Sequence, residues 1–288
     1  MRILCFGSLN IDYVYTVEHF VSKGETISSA NMERNIGGKG LNQSVALARA
    51  GAEVYHAGQV GSDGVFLTEF LKENGVDTTY IKTINSPSGH AIIQVDSTGD
   101  NCIIIHGGAN TCISTDYIDS VLSNFTGGDV LLMQNEINNG AYLLRKAKEC
   151  GLITVLNPSP ITGLDLPLEL VDIFVLNETE AEGLFATDGM DIIDSMRSHY
   201  PNAKFVMTLG EKGSVYIDAD DVVKVDAVAT DVVDTTAAGD TFTGYFLTRL
   251  FAGDIPKVAM EIAARASSIT ISKKGAAKTI PHHSKVLI

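Results

Sequence analysis

Residues 234–244 of the sequence, Asp-Thr-Thr-Ala-Ala-Gly-Asp-Thr-Phe-Thr-Gly, combine small side chains with a carboxylate and run into an apolar, helix-compatible stretch. A ligand can approach the backbone of Ala238 and Gly239 closely, because these residues have little or no side chain. A helix that begins near Ala238 would direct its unpaired N–H groups and positive dipole end at that ligand, which suits phosphate. Asp240 can either complement the dipole or take a proton from a hydroxyl that attacks a phosphoryl group.

Two further polar segments lie near the amino terminus. Asn10 and Asp12 follow a predicted buried strand, residues 3–6, and alternate with apolar residues, so both can face one side. Such residues also form turns, so that alternative stays open. Residues 37–43, Gly-Gly-Lys-Gly-Leu-Asn-Gln, bring a lysine and two amides to a flexible helix entrance. They do not form a Walker loop, and Lys39 can also be a solvated charge.

Polar residues also follow four later apolar runs. Because the carboxyl ends of parallel strands meet at one edge of a sheet, these residues are expected to outline a cleft. The Asn177-x-x-Glu180 pattern has a second interpretation as a plain helix cap. The polar groups after the four runs include Glu136, Asn157, Asn177 and Thr208.

The elements that would position these residues alternate between strands and helices. Apolar runs of strand length separated by helical stretches predict a mostly parallel sheet with helices on both faces. The predicted strands are residues 54–57, 130–133, 153–156, 173–176 and 205–209, and the predicted helices are residues 44–50, 64–74, 115–124, 139–150, 242–251 and 255–274.

Four other segments have a strand-like alternation and stand apart from that succession. They predict a small additional sheet, which would need cover on its exposed face and edges. Residues 97–101 form a good turn between the last two of these segments. The four segments are residues 13–17, 25–33, 91–96 and 102–106.

Composition restricts the classes of function. The chain has 288 residues, and no linker interrupts it, so a single α/β domain, residues 1–288, is predicted. Its net charge of −14 argues against a nucleic-acid partner or an anionic membrane surface, but not against a nucleotide ligand. The four cysteines lack disulfide or zinc spacing, and no apolar run suits a signal peptide or membrane span. A cytoplasmic protein is therefore predicted.

The 234–244 segment resembles the C-terminal signature of the PfkB-type carbohydrate kinases, Asp-Thr-x-x-Ala-Gly-Asp, and residues 37–43 resemble their first signature. The resemblance covers nearly the whole chain and is closest to the ribokinase branch. It implies a ribokinase-like α/β fold, in which residues of about 12–36 and 88–106 form a β lid over the sugar. It further implies a homodimer that packs through these lids.

The same resemblance implies an ATP-dependent kinase that acts on the primary hydroxyl of a small sugar, with ribose O5 as the best candidate. Asp240 would be the general base. An anion hole would involve Ala237, Ala238 and Gly239. The implied sugar ligands are Asn10, Asp12, Gly38, Lys39, Asn42, Glu136 and Asp240. The implied nucleotide contacts are Asn177, Thr208, Gly210, Gly213 and Gly239.

Metal sites are implied in the same way. Glu180 corresponds to the residue that holds hydrated magnesium, which takes few protein carboxylates. A monovalent cation, K⁺ by resemblance, would be held partly through backbone carbonyls. The implied residues for that cation are Asp234, Thr236, Thr270, Lys273, Gly275 and Thr279.

Several alternatives remain. Kinases of nucleosides, deoxyribose or fructose share the signatures, and a non-catalytic sugar or nucleotide sensor would share the fold. A nicotinamide oxidoreductase is disfavoured, because no Gly-x-Gly-x-x-Gly follows the first strand. Ala264 departs from relatives that carry a polar residue near the nucleotide base, so the base preference stays open. The seven histidines show no metal-site spacing.

Overall fold

A computed structural model describes residues 1–186 and 190–287 of the chain, and within those residues it contains two sheets. The strands are β1 Ile3–Phe6, β2 Asn10–Thr16, β3 Asn31–Gly37, β4 Val54–Val60, β5 Asp77–Thr83, β6 Gly89–Val95, β7 Asn101–His106, β8 Val130–Gln134, β9 Ile153–Asn157, β10 Ile173–Asn177, β11 Lys204–Thr208, β12 Ser214–Ile217 and β13 Val222–Val225. The α-helices are α1 Lys39–Ala50, α2 Val65–Glu73, α3 Thr115–Leu122, α4 Gly140–Glu149, α5 Glu178–Phe185, α6 Ile192–His199, α7 Ala238–Phe251 and α8 Pro256–Ile271.

The large sheet has the strand order β13-β12-β11-β10-β9-β8-β1-β4-β5 across the described residues. Its strands run parallel from β11 to β5, whereas β12 and β13 are antiparallel additions at one edge. The parallel strands read as continuous apolar runs because helices cover both faces. In β1, Ile3 and Cys5 join the core on one face, and Leu4 and Phe6 join the core on the other.

The smaller sheet has the order β3-β2-β6-β7, with β2 and β6 parallel and the two outer pairs antiparallel. It confirms the small additional sheet predicted from the alternating segments. One boundary is wrong: residues 25–30 of the predicted 25–33 strand do not belong to a strand, and β3 begins at Asn31. The ladder between β2 and β3 ends at the Thr16–Asn31 pair, so the earlier alternating residues have no strand to pair with.

The predicted helices and parallel strands of the large sheet are confirmed, with shifted ends. Helix α1 begins at Lys39, before the predicted start at residue 44, and α8 ends at Ile271 before the predicted residue 274. No predicted range covered strands β5, β12 and β13 or helices α5 and α6, although the capping interpretation of Asn177-x-x-Glu180 indicated the start of α5. Among the described residues, no helix combines the length and apolar character that crossing a bilayer requires.

Candidate active site

A cleft with a volume of about 240 Å³ lies at the carboxyl edge of the large sheet, next to the start of α7. This is where ligands bind in open α/β sheets. The cleft brings together residues that are far apart in the sequence, including Lys39 from α1 and Glu180 from α5. It is lined by Lys39, Asn157, Val175, Leu176, Asn177, Glu180, Thr208, Thr235, Ala237, Ala238, Gly239, Asp240 and Thr243.

Helix α7 begins in the predicted place, and its first turn lines the cleft. Ala237 adopts a left-handed conformation, with φ of 61°, that turns the chain into the helix. The Ala238 amide donates to the Thr235 carbonyl at 3.2 Å, and the Thr241 amide makes a helical bond to Ala237 at 2.9 Å. The amides of Gly239 and Asp240 lie between these two. They are therefore better placed than that of Ala238 to meet an anion.

Gly239 keeps this backbone accessible. A Cβ atom built on Gly239 would meet no other atom within 4 Å, so open space surrounds this position. Any side chain larger than hydrogen would project into that space. The helix dipole adds partial positive charge at the same point, which makes the first turn of α7 a suitable seat for a phosphoryl group.

Asp240 is half-buried, and both of its carboxylate oxygens are held by side-chain amides from α1. Asn42 Nδ2 donates to Oδ2 and Gln43 Nε2 donates to Oδ1, each at 2.9 Å. A carboxylate oxygen has a second lone-pair direction, so each can still accept a proton or another hydrogen bond. The carboxylate is thus fixed in orientation while it remains available to a ligand in the cleft.

A second group of predicted residues lies on and beside strand β2. Ser8 donates to Glu136 Oε2, and the Lys39 amide donates to the same oxygen at 3.2 Å. Burial raises the pKa of the Asp12 carboxyl to about 6, and the negative charge of Glu136 contributes to this. Burial also raises the pKa of Glu136, against the hydrogen bonds from Ser8 and Lys39. The two carboxyls are therefore close enough to influence each other.

Gly38 shows why a glycine precedes α1. Its φ is 96°, and a Cβ atom there would lie 2.9 Å from the Asn10 nitrogen and from the Ser8 carbonyl. Only glycine combines this conformation with such a close backbone approach. Gly38 therefore allows the start of α1 to lie directly against the β2 segment that carries Asn10.

Asn110 is a residue of this group that the sequence interpretation missed. Its Nδ2 donates to Asn10 Oδ1 at 2.7 Å, and its Oδ1 accepts from the Leu9 amide at 3.0 Å. The buried Asn110 therefore fixes the orientation of Asn10. The sequence feature that could have pointed to Asn110 is its position as an isolated amide among the small residues that follow the predicted strand 102–106. Ser8, Gln43 and Asn157 were also unassigned.

Asn177 and Glu180 form a capping box at the start of α5, in agreement with the structural interpretation of their spacing. Both also line the cleft, as does Thr208 at the end of β11. Gly210 and Gly213 lie in the adjacent turn with φ of 57° and 93°, outside the residues that line the cleft. Within the described residues, no group of three or more His, Cys, Asp or Glu could hold a metal ion by protein ligands alone.

Asp234 joins the segment before α7 to the turn after α8. Its Oδ1 accepts from the Thr236 amide and hydroxyl at 2.9 and 2.6 Å, and its Oδ2 accepts from the Gly275 amide at 2.9 Å. Burial raises the pKa of Asp234, but these hydrogen bonds and the charge of Lys274 outweigh it and leave the pKa below its usual range. The structure thus brings together Asp234, Thr236 and Gly275.

Of the other residues predicted for the monovalent cation, some lie in this turn and some do not direct their side chains toward it. The Thr279 hydroxyl donates to the Gly275 carbonyl at 3.1 Å, so it belongs to the same turn. The Thr270 hydroxyl lies 3.1 Å from that of Thr241, inside the contact between α7 and α8. Thr270 can therefore offer a cation only its carbonyl, to which the Lys273 amide donates at 3.3 Å.

Residues 1–283 match the sequence family described as pfkB family carbohydrate kinase. The chain belongs to the pfkB family of carbohydrate kinases. This pfkB-family kinase is 35% identical to a ribokinase from Staphylococcus aureus, and the alignment covers 97% of this chain and 96% of the relative. The family assignment made from the two sequence signatures is therefore confirmed.

Solved structures agree with the family assignment. A ribokinase from Arabidopsis thaliana, solved in complex with ribose and ATP, superposes with a TM-score of 0.87 at 30% identity over 99% of this pfkB-family kinase and 97% of that chain. The predicted ribokinase-like fold is confirmed. A deoxyribokinase from Salmonella typhi is 29% identical to this pfkB-family kinase over 98% of the chain and 96% of the relative.

Proposed function

We propose that this pfkB-family kinase transfers the γ-phosphoryl group of ATP to the primary hydroxyl of ribose. The observation that carries the proposal is the position of Asp240, which is clamped beside the open amides of α7 in the cleft that Lys39 also lines. Phosphoryl transfer depends on positioning and charge stabilisation, and this geometry can supply both. A screen of ribose, 2-deoxyribose, fructose and nucleosides with ATP tests the assignment. Absence of turnover with every acceptor would refute it.

In the proposed reaction, Asp240 accepts the proton of the ribose O5 hydroxyl. The oxygen forms a bond to the γ-phosphorus while the bond from that phosphorus to the ADP oxygen breaks. The amides of Gly239 and Asp240 would stabilise charge on the phosphoryl oxygens, and removal of one well-placed donor of this kind costs about 3–4 kcal/mol. The cationic side chain of Lys39 lines the same cleft and adds positive charge there.

The polar groups on the β2 side would bind the remaining sugar hydroxyls. A polyol needs donors and acceptors at close range, and Asn10, Asp12 and Glu136 provide both. Asn42 Oδ1 is buried and has no partner among the described residues. A hydroxyl of the sugar is one donor that could satisfy this oxygen. Gly38, Lys39 and Asn42 complete the proposed sugar site.

The pKa of Asp12 predicts how sugar binding depends on pH. Asp12 is ionised above about pH 6, and an ionised carboxylate accepts stronger hydrogen bonds than a carboxylic acid does. We expect the KM for ribose to rise about tenfold between about pH 7.5 and pH 5. Steady-state kinetics across this range measure it, and the Asp12→Asn variant should show less than a third of the change. A KM that stays constant in the wild-type enzyme would contradict the role of Asp12.

Mg²⁺ fits beside Glu180, because the ion usually keeps several waters and needs only one or two carboxylates besides substrate phosphates. The buried Glu180 reaches the cleft at the same edge as Asn177. Bound there through water, the ion would neutralise charge on the phosphates of ATP. Asn177 and Thr208 would contact the nucleotide in the cleft, and Gly210 and Gly213 would contact it from the adjacent turn.

The Glu180→Gln variant separates this role from helix capping. Glutamine also completes a capping box, so α5 should keep its start while the charge is lost. We expect the Mg²⁺ concentration for half-maximal rate to rise about tenfold. The exposed Glu182→Gln variant on the same helix is the matched control. An unchanged Mg²⁺ requirement in Glu180→Gln would leave only the structural role.

We also propose K⁺ binding near Asp234. The candidate ligands are oxygens of Asp234 and Thr236, which are hydrogen-bonded to each other, and those of Thr279 and the Gly275 carbonyl, which are also hydrogen-bonded to each other. Oxygen atoms of this kind suit an alkali cation. The backbone of Thr270 and Lys273 would add to these ligands. A bound cation would add charge compensation to the loop that leads into α7. Turnover in KCl compared with tetramethylammonium chloride at equal ionic strength tests this, and equal rates would refute it.

The smaller sheet is proposed to act as the sugar lid, formed by about residues 12–36 and 88–106 of a single domain that spans residues 1–288. Its edge strand β7 exposes consecutive isoleucines: Ile104 is 61% exposed and Ile105 is 63% exposed. Because neighbouring residues of a strand point to opposite faces, β7 presents apolar side chains to solvent on both faces of the sheet. Protein edges of this kind are normally covered. We therefore propose a homodimer through this sheet, which sedimentation equilibrium can test.

We place the enzyme in the cytoplasm, where ATP is available.

A further inference from the structure

One of the two amides that hold Asp240 belongs to a longer chain of side-chain amides. Gln134 Nε2, at the end of β8, donates to Gln43 Oε1 at 2.6 Å. Gln43 Nε2 in turn donates to Asp240 Oδ1 at 2.9 Å and to Asn157 Oδ1 at 3.1 Å. Gln43 and Gln134 are each 1% exposed, so bulk water does not compete for these bonds.

The directions of the Asn157 and Gln43 amides are fixed by their neighbours. Asn157 Nδ2 donates to the Val175 carbonyl at 2.9 Å, so its oxygen is the atom that faces Gln43. Gln134 occupies the oxygen of Gln43, which leaves the NH₂ group of Gln43 for Asp240. If Gln43 turned over, its oxygen would face two other oxygens, one from Asp240 and one from Asn157. That arrangement is repulsive and leaves buried donors without acceptors.

We propose that Gln43 is a positioning residue for Asp240, and that the oxygens of Asp240 and Asn157 set the direction of its NH₂ group. The proposal rests on the phosphoryl-transfer function given above. With Asn42 on Oδ2 and Gln43 on Oδ1, the plane of the carboxylate is fixed at both oxygens. The remaining lone pairs then point in set directions, one of which would receive the proton of the sugar hydroxyl. A base held by only one amide can rotate about its side-chain torsions.

The Gln43→Met variant tests the proposal, because methionine resembles glutamine in length and volume but cannot donate to Asp240. We expect kcat to fall by a factor of about 10–100, since small misplacements of reacting groups have effects of this order. The KM values for ribose and ATP should change by less than about threefold, because Gln43 is not assigned to either substrate. The matched control is Gln59→Met, which alters another buried glutamine and should keep kcat within about twofold.

A double-mutant cycle with Asp240→Asn distinguishes positioning from a structural effect. If Gln43 acts through the carboxylate, Gln43→Met should lower kcat by less than about threefold once Asp240 has been replaced. If Gln43→Met lowers kcat as much in the Asp240→Asn background as it does in the wild type, the proposal is overturned. If Gln43→Met does not fold, the Gln43→Met/Gln134→Leu variant replaces it, because it leaves neither glutamine amide unpaired.

The outcome for Gln43 is separable from that for the proposed function. An active wild-type enzyme together with a folded Gln43→Met variant of equal kcat refutes the positioning role alone. A wild-type enzyme that phosphorylates no acceptor refutes the proposed function and this inference with it. A loss in kcat at constant KM that disappears in the Asp240→Asn background supports both.

Discussion

Replacement of Asp240 by asparagine should lower kcat for ribose phosphorylation by a factor of about 10²–10⁴, the range that a positioned general base contributes. Asparagine preserves the shape of the side chain but cannot take the proton of the hydroxyl. The KM values for ribose and ATP should change by only a few fold, because most of the proposed substrate contacts remain. Coupled-enzyme assays of ADP release measure both parameters.

The control for this variant is Asp116→Asn, which changes an exposed aspartate in the first turn of another helix, α3. This variant removes the same kind of charge from a helix start and should leave kcat unchanged. One side effect in Asp240→Asn is foreseeable, because its NH₂ group would face an NH₂ donor from Asn42 or Gln43. The thermal stability of the variant should therefore be measured alongside its kinetics. Near-normal turnover in a folded Asp240→Asn enzyme would exclude the assigned role.

Ribose should be a far better acceptor than 2-deoxyribose, with kcat/KM values that differ by about 10⁴. A site that is built to bind a hydroxyl leaves its buried polar groups unpaired when the hydroxyl is missing, and this penalty produces strong discrimination. Asn10 has this character, since it is 7% exposed and held in orientation by Asn110. Parallel measurements of kcat/KM for both sugars at one pH and salt concentration test the prediction.

The comparison is informative because a deoxyribokinase stands among the relatives of this chain. Comparable kcat/KM values would refute ribose as the specific acceptor while leaving phosphoryl transfer intact. The Asn110→Ala variant is the matched test of the cause. It removes the support of Asn10 and should lower kcat/KM for ribose more than for 2-deoxyribose. Equal losses for the two sugars would show that Asn110 and Asn10 do not distinguish ribose from 2-deoxyribose.

Local chemistry made the start of α7 predictable from the sequence. Small residues that precede an apolar helical stretch indicate an accessible helix start whatever the rest of the fold does, and α7 does begin at Ala238. The parallel strands were equally predictable from the sequence, because burial on both faces produces continuous apolar runs. The start of β3 was harder to predict, since alternation in residues 25–30 does not show whether a partner strand exists.

The amide chain behind Asp240 could not be found in this way. Gln43 and Asp240 are separated by 197 positions in the sequence, and Asn110 lies 100 positions from Asn10. Contacts of this kind depend on how α1, α7 and β8 pack, and a lone glutamine carries no local sign of its partner. Strands β12 and β13 were missed for a related reason. They are four residues each, and their pairing defines them more clearly than their composition does.

The most direct test of the account is a crystal structure of the enzyme with ribose, ADP, Mg²⁺ and a planar metal-fluoride analogue of the transferred phosphoryl group. We expect the ribose O5 atom at roughly 2.6–3.2 Å from a carboxylate oxygen of Asp240, within general-base reach. We also expect the analogue to accept hydrogen bonds from the amides of Gly239 and Asp240. A sugar hydroxyl turned away from Asp240, or an analogue bound away from the first turn of α7, would contradict the account.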